Sequence, residues 1–317
     1  MMTLGEINGL ERTVETAGRS SVADAVAACW GYPAGAARWW RSSASHVFVL
    51  PESRVFLRFV PGTRRSPDEL AGVAELMQRL ADRGVAVVRP RPSAGGVLVE
   101  TVETDLGPMH AMCVAAAPGQ QLEVDVLTLP QARAWGTELA RLHETAAEFG
   151  DGLPVAFAEL EDAVALFAND PPLVAAVQRL IDRLNGLPRD PSRYGVIHGD
   201  FELDNLAWVG DSLTSFDFDD AARSWFAADI ALAVRDLTSA GTPTPTYKAH
   251  FDAFLAGYRD RRPLPERDVA DLPLFAAAAT AARLITLQPV LHTTEPDPLH
   301  TKLTSIAAAD RRALLES

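Results

Sequence analysis

The fold is decided by the stretch Tyr194–Ala221, which reads YGVIHGDFELDNLAWVGDSLTSFDFDDA. A short apolar strand leads into His198-Gly199-Asp200, and a second predicted strand, Leu213–Phe218, delivers Asp217. Asn205 lies between them, five residues after the first aspartate. The segment therefore predicts a strand, a polar loop and a strand that together present two carboxylates and one amide.

These residue types are the ones that phosphoryl transfer requires. The reaction needs a carboxylate that orients the acceptor hydroxyl and hard oxygen ligands for the Mg²⁺ that bridges the phosphates. Protein kinases supply them with an H-R-D-x-x-x-x-N loop followed by a D-F-G aspartate. Here Gly199 replaces the arginine, and Asp217-Phe218-Asp219 replaces D-F-G. The spacing predicts a phosphotransferase that uses a nucleoside triphosphate and magnesium.

A more specific resemblance rests on four motifs. The chain resembles the aminoglycoside phosphotransferase and choline kinase-like superfamily in HGDFELDNL, in FDFDDA, in Asp229-Ile230-Ala231 and in the helical segment Leu139-Ala140-Arg141-Leu142-His143. That superfamily includes kinases for aminoglycosides, homoserine, methylthioribose, choline and some proteins. The resemblance implies an α+β class: a bilobal protein kinase-like fold with a small β-rich N-terminal lobe and a larger, mostly helical C-terminal lobe.

The resemblance also implies roles for the polar residues of this segment. Asp200 would be the catalytic base, and Asn205 and Asp217 would hold magnesium. Asp229 would brace the catalytic loop from the following helix. On an extended strand residues two apart share a face, so Asp219 would point with Asp217 and either assist a second metal or cap the following loop.

The predicted nucleotide site lies in the N-terminal part of the chain. The superfamily usually has a lysine on its third strand that pairs with the α- and β-phosphates, but no lysine precedes Lys248 here. Arg58 stands at the corresponding position and keeps the positive charge. Glu69 is its preferred acidic partner on the following helix, with Glu75 as the alternative.

Two further segments complete this predicted site. Ser42, Ser43 and Ser45 form a polar turn where the superfamily's phosphate loop usually falls, although no glycine-rich signature is visible. The resemblance places the base of the nucleotide against the backbone around Ala115 and Ala117. The choice between ATP and GTP is left open.

The predicted secondary structure changes near Pro118–Gly119. Residues 1–117 are predicted to form a nucleotide-binding lobe, and residues 118–317 a catalytic and substrate-binding lobe. Short β-rich runs dominate before the change, and helical patterns dominate after it. The predicted strands cover 46–50, 54–60, 96–102 and 109–115. One predicted helix starts after the Ser66 cap, and two others cover 130–149 and 173–184.

The charge of the chain is distributed unevenly. Up to Ala117, 12 acidic and 12 basic residues cancel, so the remainder, with 30 acidic and 17 basic residues, carries the whole net charge of −13. Such acidity repels nucleic acid and anionic lipid, so neither partner is expected. The two cysteines, Cys29 and Cys113, form no disulfide framework, and the first residues lack a signal-peptide pattern. We therefore expect a cytoplasmic protein.

The predicted function is ATP- (or GTP-) and Mg²⁺-dependent transfer of the γ-phosphate to a hydroxyl of a small molecule. The acidic half suits a cationic acceptor such as an aminoglycoside or an amino alcohol, with an acidic surface that serves only solubility as the alternative. A protein serine/threonine kinase of the same fold is the alternative, but no activation segment is recognisable between Asp217 and Asp229. A phosphatase built on Asp217-x-Asp219 is less favoured, because Ala221 stands where such enzymes have Thr or Val. A binding-only relative without turnover is the remaining interpretation.

The acceptor site is less well defined by the sequence. Candidate residues are Ala233–Arg235, Tyr258–Arg259 and Arg283–Gln288. Glu202 and Asp204 lie inside the catalytic loop and contact either substrate or solvent. His143 is predicted to be structural.

Overall fold

The computed structural model describes residues 2–291 and 298–316, except positions 148, 150 and 151. The chain divides into two compact units. The first contains Met1–Ala117 with Asp151–Leu153, and the second contains Pro118–Gly150 with Pro154–Ser317.

The first unit is built on an antiparallel sheet. In its described part the strand order is β1-β2-β3-β6-β4, and β5 also pairs with β6. Its elements are the helices α1 (Leu4–Glu11), α2 (Ser21–Ala28) and α3 (Pro67–Asp82) and the strands β1 (Arg38–Ser42), β2 (His46–Leu50), β3 (Val55–Pro61), β4 (Pro90–Arg91), β5 (Val99–Thr104) and β6 (Gly107–Ala115).

Strand β3 shows how the sheet sorts its side chains. Val55, Leu57 and Phe59 are buried on one face, where they pack with buried residues of α1 and α2 such as Leu10. Successive side chains of a strand point to opposite faces, so Arg58 lies on the other face, half-buried. The strand thus presents one cation on the face that α1 and α2 leave uncovered.

Helix α3 starts as its sequence predicts. Ser66 Oγ accepts a hydrogen bond from the Glu69 N–H at 3.2 Å, and the Glu69 carboxylate accepts one from the Ser66 N–H at 2.7 Å. Pro67 occupies the first helical position, where its missing N–H costs nothing. The capping box fixes where the helix begins and uses the Glu69 carboxylate to do so.

The second unit is mostly helical, with short strand pairs inserted. Helix α4 packs closely on α8, since a Cβ on Gly136 would lie 2.0 Å from the carbonyl oxygen of Phe254. Strand β7 pairs with β10, β8 with β9, and β11 with β12, all antiparallel. Its elements are α4 (Leu129–Ala146), α5 (Ala163–Leu166), α6 (Pro171–Asn185), β7 (Tyr194–Ile197), β8 (Leu206–Val209), β9 (Ser212–Ser215), β10 (Ala222–Trp225), α7 (Phe226–Ala233), β11 (Thr238–Ser239), β12 (Thr242–Pro243), α8 (Lys248–Arg259), α9 (Glu266–Ala270), α10 (Leu272–Leu291) and α11 (Pro298–Glu316).

Most predicted elements are present with bounds shifted by one to three residues. The helix predicted over 130–149 runs over Leu129–Ala146, and position 148 lies outside the described residues. The strand predicted over 213–218 is wrong at its end, because β9 stops at Ser215.

One stretch of the described chain, Glu266–Gln288, is long and apolar enough to cross a membrane by length and composition alone. Of its most apolar window, 39% is buried within the fold. Core helices of soluble proteins have the same composition, so this feature is weak support for a membrane span.

Candidate active site

The loop that carries Asp200 is held by a buried carboxylate. Asp229, on α7, is completely buried and accepts hydrogen bonds from the backbone N–H groups of His198 at 2.8 Å and Gly199 at 2.9 Å. Both N–H groups precede Asp200. The contact that the resemblance implied for Asp229 is therefore present, and it fixes the backbone from which Asp200 projects.

Asp229 is in turn supported by two side chains from the helical core. His143 Nε2–H donates to Asp229 Oδ2 at 2.9 Å, and the Tyr258 hydroxyl donates to His143 Nδ1 at 2.8 Å. His143 is fully buried and Tyr258 is 1% exposed. Burial by itself would raise the pKa of Asp229, but the bond from His143 and the loop N–H groups hold that pKa below its usual value. Burial lowers the pKa of His143 below its ordinary value, although the contact with Asp229 opposes the shift.

We expect His143→Leu to lower the free energy of unfolding by about 1.5–3 kcal/mol, because it removes a donor to a buried charge. Tyr258→Phe is the matched control. It removes one hydroxyl that bonds to a neutral ring and should cost about 0.5–1.5 kcal/mol. Urea unfolding of the three proteins measures both values. Equal losses in the two variants would contradict a charge-assisted bond between His143 and Asp229.

Glycine is required at position 199 by a close backbone approach. Gly199 has φ +83°, and a Cβ there would lie 2.1 Å from the carbonyl oxygen of Asp220. An arginine, as in protein kinases, would clash with this carbonyl. The loop therefore packs against the Phe218–Asp220 turn more closely than any other residue would allow.

Asp200 and Asn205 are in direct contact. Asn205 Nδ2 donates to Asp200 Oδ2 at 2.7 Å and to the Asp200 carbonyl oxygen at 2.9 Å. Because the amide nitrogen faces Asp200, the amide oxygen is the atom of Asn205 that is oriented to bind a cation. Burial raises the pKa of Asp200, the Asp217 charge adds to the rise, and the charge of Arg235 opposes it.

The position of Asp217 differs from the prediction. It lies beyond the end of β9 with φ +66°, in the left-handed region, and Phe218–Asp220 form a 3₁₀ turn. The argument that Asp219 shares a strand face with Asp217 is therefore wrong, because the backbone is not extended there. The metal role of Asp219 stays a prediction without that support.

His198 braces the same turn. Its Nε2–H donates to the carbonyl oxygen of Phe216 at 3.2 Å, and its Nδ1 accepts from the Asp200 N–H at 3.3 Å. The ring is fully buried. His198 thus connects the segment before Asp217 to the loop that carries Asp200.

The donor set fits magnesium. Asn205 and Asp217 offer an amide oxygen and a carboxylate, which are hard ligands, and Mg²⁺ typically takes one or two carboxylates together with substrate phosphates. Among the described residues, no group of three or more His, Cys, Asp or Glu side chains is arranged to hold a metal by itself. The residues suit an ion that is completed by phosphate oxygens.

In the first unit, Arg58 lies beside the predicted phosphate turn. Arg58 Nη2 donates to Ser45 Oγ at 3.2 Å. The turn is also held by the Met2 N–H, which donates to the Ser43 carbonyl oxygen at 3.1 Å. The structure thus brings Arg58 together with the serine turn, whereas Glu69 is exposed at the start of α3 and closes its capping box.

Ala115 and Ala117 lie where the unit ends. Ala115 is the last residue of β6 and donates its N–H to the Arg89 carbonyl oxygen at 2.9 Å, and Ala117 follows the strand. Both are half-buried. Their contact with a nucleotide base stays a prediction.

We expect Arg58→Ala to weaken nucleoside triphosphate binding about tenfold or more, because a charged donor to phosphate is lost. Arg58→Lys should restore part of the affinity, since the charge returns without the planar fork. Titration with ATP-Mg²⁺ followed by calorimetry measures this, with Arg79→Ala on the exposed side of α3 as the control. Affinity unchanged in Arg58→Ala would transfer the phosphate contact to another arginine, with Arg54 the first to test.

One ion pair beside Asp200 was not predicted from the sequence. The carboxylate of Glu202 pairs with the guanidinium of Arg235, which also lies 3.7 Å from Asp200 Oδ1. Burial raises the pKa of Glu202 to about 8, the Asp200 charge adds to this, and Arg235 opposes it. The two residues are 33 positions apart in the sequence, so no local pattern could connect them.

Two other acceptor candidates make contacts within the fold. Tyr258 belongs to the buried network of Asp229, and Arg283 pairs with Asp310 at 2.6 Å between α10 and α11. The acceptor contacts predicted for Tyr258 and Arg283 stay predictions.

Comparison with known proteins places this chain in a family. The profile described as the phosphotransferase enzyme family (APH) matches residues 38–264. The chain belongs to this family. It is a phosphotransferase with an alcohol group as acceptor, as the motifs predicted, and the family match removes the phosphatase interpretation.

Individual relatives agree with this assignment. A homoserine kinase of Methylobacterium sp. (strain 4-46) is 31% identical over 260 residues, which cover 76% of this chain and 73% of that protein. The structure of a microcompartment-associated aminopropanol kinase has a TM-score of 0.70 and 25% identity, with 93% of this chain and 96% of the other covered. The phosphotransferase is therefore similar to kinases of small molecules.

The predicted fold is confirmed by a further solved structure. An amicoumacin kinase in complex with AMP-PNP, Ca²⁺ and Ami has a TM-score of 0.79 at 19% identity, with 92% of this chain and 91% of the other covered. At that identity the likeness shows the protein kinase-like fold, with a β-rich first part and a helical second part.

Proposed function

We propose that this phosphotransferase transfers the γ-phosphate of ATP or GTP, in the presence of Mg²⁺, to a hydroxyl of a small, positively charged molecule. The observation that carries the proposal is the contact between Asp200 and Asn205 on a loop that the buried Asp229 fixes through two backbone N–H groups. A fixed, partly exposed carboxylate beside an amide is suited to receive a proton next to a bound cation.

The chemical step assigns one role to each of these side chains. As the acceptor oxygen bonds to the γ-phosphorus, the bond from that phosphorus to the β–γ bridging oxygen breaks and the nucleoside diphosphate leaves. Asp200 orients the acceptor hydroxyl and receives its proton. Asn205 and Asp217 would hold the Mg²⁺, and Asp219 is the proposed ligand of a second ion. When bound, the metal neutralises charge on the phosphates.

We assign nucleotide binding to the first unit. Arg58 and the turn with Ser43 would contact the phosphates, and the backbone at Ala115 and Ala117 would contact the base. Glu69 retains its proposed role as the acidic partner of Arg58. The AMP-PNP present in the related amicoumacin kinase structure supports nucleotide binding in this family. We also propose a cytoplasmic location, since both cysteines are free thiols.

The proposed acceptor class follows from charge and from the similar proteins. Two of the similar proteins are named as kinases of homoserine and of aminopropanol, and each of these molecules carries an amine and a hydroxyl. The second part of this chain carries the net charge of −13, which attracts cations. An alcohol that bears an ammonium group therefore suits both the family and the electrostatics, and homoserine carries a carboxylate in addition.

The test is a screen of hydroxylated metabolites and antibiotics with ATP-Mg²⁺ and GTP-Mg²⁺, with the products detected by their gain in mass. We expect phosphorylated products from amine-bearing alcohols. Nucleoside diphosphate formed without any phosphorylated small molecule would contradict the proposed function.

A further inference from the structure

The Glu202–Arg235 pair lies beside the proposed catalytic base. The Glu202 side chain is 8% exposed, and Arg235 Nη2 pairs with its Oε2. Arg235 Nη1 lies 3.7 Å from Asp200 Oδ1, so one guanidinium contacts both carboxylates. A buried carboxylate is strongly destabilised without a cation nearby, and here that cation comes from Arg235.

The two side chains of the pair differ in their exposure to solvent. Glu202 lies between Phe201 and Leu203, which are 1% and 2% exposed, and its carbonyl oxygen accepts the Asn205 N–H at 2.9 Å. The Arg235 side chain is 45% exposed, and a long basic side chain of that kind can move its charge into water at low cost. The acid is fixed and the cation is replaceable.

The surrounding charges favour a cation at this position. The charges of Asp200, Asp204 and Asp236 all act on Glu202, and Arg235 is the opposing charge among the groups that influence it. A cationic group that replaces Arg235 would still face a surplus of negative charge. An anionic group could bind Arg235 but would face these carboxylates.

We propose that Glu202 binds the ammonium group of the acceptor and that Arg235 is a built-in counter-cation which the acceptor displaces; this rests on the proposed function. The guanidinium reaches Asp200 with one nitrogen and Glu202 with the other. An acceptor that presents its hydroxyl to Asp200 and its ammonium to Glu202 needs a similar separation between the two groups. Amino alcohols with hydroxyl and amine on adjacent or next-but-one carbons have that separation.

The experiment measures binding without turnover. 1-Amino-2-propanol, homoserine and the neutral analogue propane-1,2-diol are titrated into the full-length protein at pH 8.5 and low salt, without nucleoside triphosphate. We expect the parent to bind at least one amine about tenfold or more tightly than the diol. Glu202→Gln should lose about 10- to 100-fold in affinity for that amine with no change for the diol. Arg235→Gln should bind the amine as tightly as the parent or more tightly, because it removes the competitor.

A matched control comes from a surface pair of the same unit. Glu266 pairs with Arg259 at 2.6 Å and its side chain is 84% exposed, so Glu266→Gln should bind every probe like the parent. The proposal is overturned if Glu202→Gln binds the amines like the parent, if no amine binds the parent more tightly than the diol, or if Arg235→Gln loses tenfold or more. Arg235→Gln provides this test even if Glu202→Gln does not fold. Because no phosphate is transferred in this experiment, a negative result contradicts only the ammonium site. The proposed phosphate transfer fails separately, if the screen yields nucleoside diphosphate without any phosphorylated small molecule.

Discussion

Asp200→Asn is expected to lower the turnover number by about 10²–10⁴-fold, the usual contribution of a positioned acid–base group. The amide has nearly the same shape as the carboxylate but cannot receive the acceptor proton. Asp200 is partly exposed on a loop whose backbone is fixed by Asp229, and asparagine keeps its shape, so the fold and nucleotide affinity should be retained. Steady-state kinetics with an acceptor from the screen, together with ATP titration, measures both properties.

The control for this variant is Asp211→Asn. Asp211 belongs to the same segment and is exposed in the turn between β8 and β9, so its replacement should leave turnover unchanged. Turnover in Asp200→Asn within a few-fold of the parent would remove Asp200 from the role of base.

Asp217→Ala should raise the Mg²⁺ concentration for half-maximal activity by at least about tenfold, since a charged hard ligand is lost. Asn205→Ala should raise it less, because an amide oxygen carries no net charge. Asn205→Ala also removes the donor to Asp200 and should therefore retain a turnover defect at saturating magnesium. Magnesium titrations of both variants separate these effects.

Asp219→Asn in the same titration tests the second metal. A raised magnesium requirement would assign Asp219 a metal contact in spite of its place in the 3₁₀ turn. Magnesium dependence equal to the parent's in both Asp217→Ala and Asn205→Ala would contradict the proposed metal ligands.

The contact between Asp200 and Asn205 could be predicted from the sequence because its determinants are local. The five-residue spacing from Asp200 to Asn205 corresponds to a contact of 2.7 Å in the structure. The capping box at Ser66 also lies within four residues, and α3 starts there as predicted. In both cases the chemistry of neighbouring residues determines the local backbone.

The turn that carries Asp217 could not be predicted in the same way. Alternation along a strand assumes extended backbone, but Asp217 adopts a left-handed conformation that is uncommon for residues other than glycine. The close approach of Gly199 to Asp220 accompanies this turn, and no sequence period reports such a contact between segments. The alternation therefore predicts a strand that continues to Phe218, beyond the end of β9 at Ser215.

The resemblance implies that Asp229 braces the loop, and His143 is predicted to be structural, but the bonds that link Asp229, His143 and Tyr258 could not be predicted because these residues are distant in sequence. Asp229, His143 and Tyr258 come from three helices and meet only in the folded core. Strand β1 escaped for a different reason. Its pairing with β2 is irregular between Trp39 and Arg41, and such a bulge interrupts the period of two on which strand prediction depends.

The central claim is that Asp200 serves transfer of the γ-phosphate to a small hydroxylated molecule. The most direct measurement incubates the parent and Asp200→Asn with γ-labelled ATP, Mg²⁺ and an amine-bearing alcohol, and follows where the label goes. We predict that the parent places the label on the alcohol and that the variant does so at about 10²–10⁴-fold lower rate. Label that appears only as free phosphate, or that reaches the alcohol equally fast with both proteins, would contradict the account.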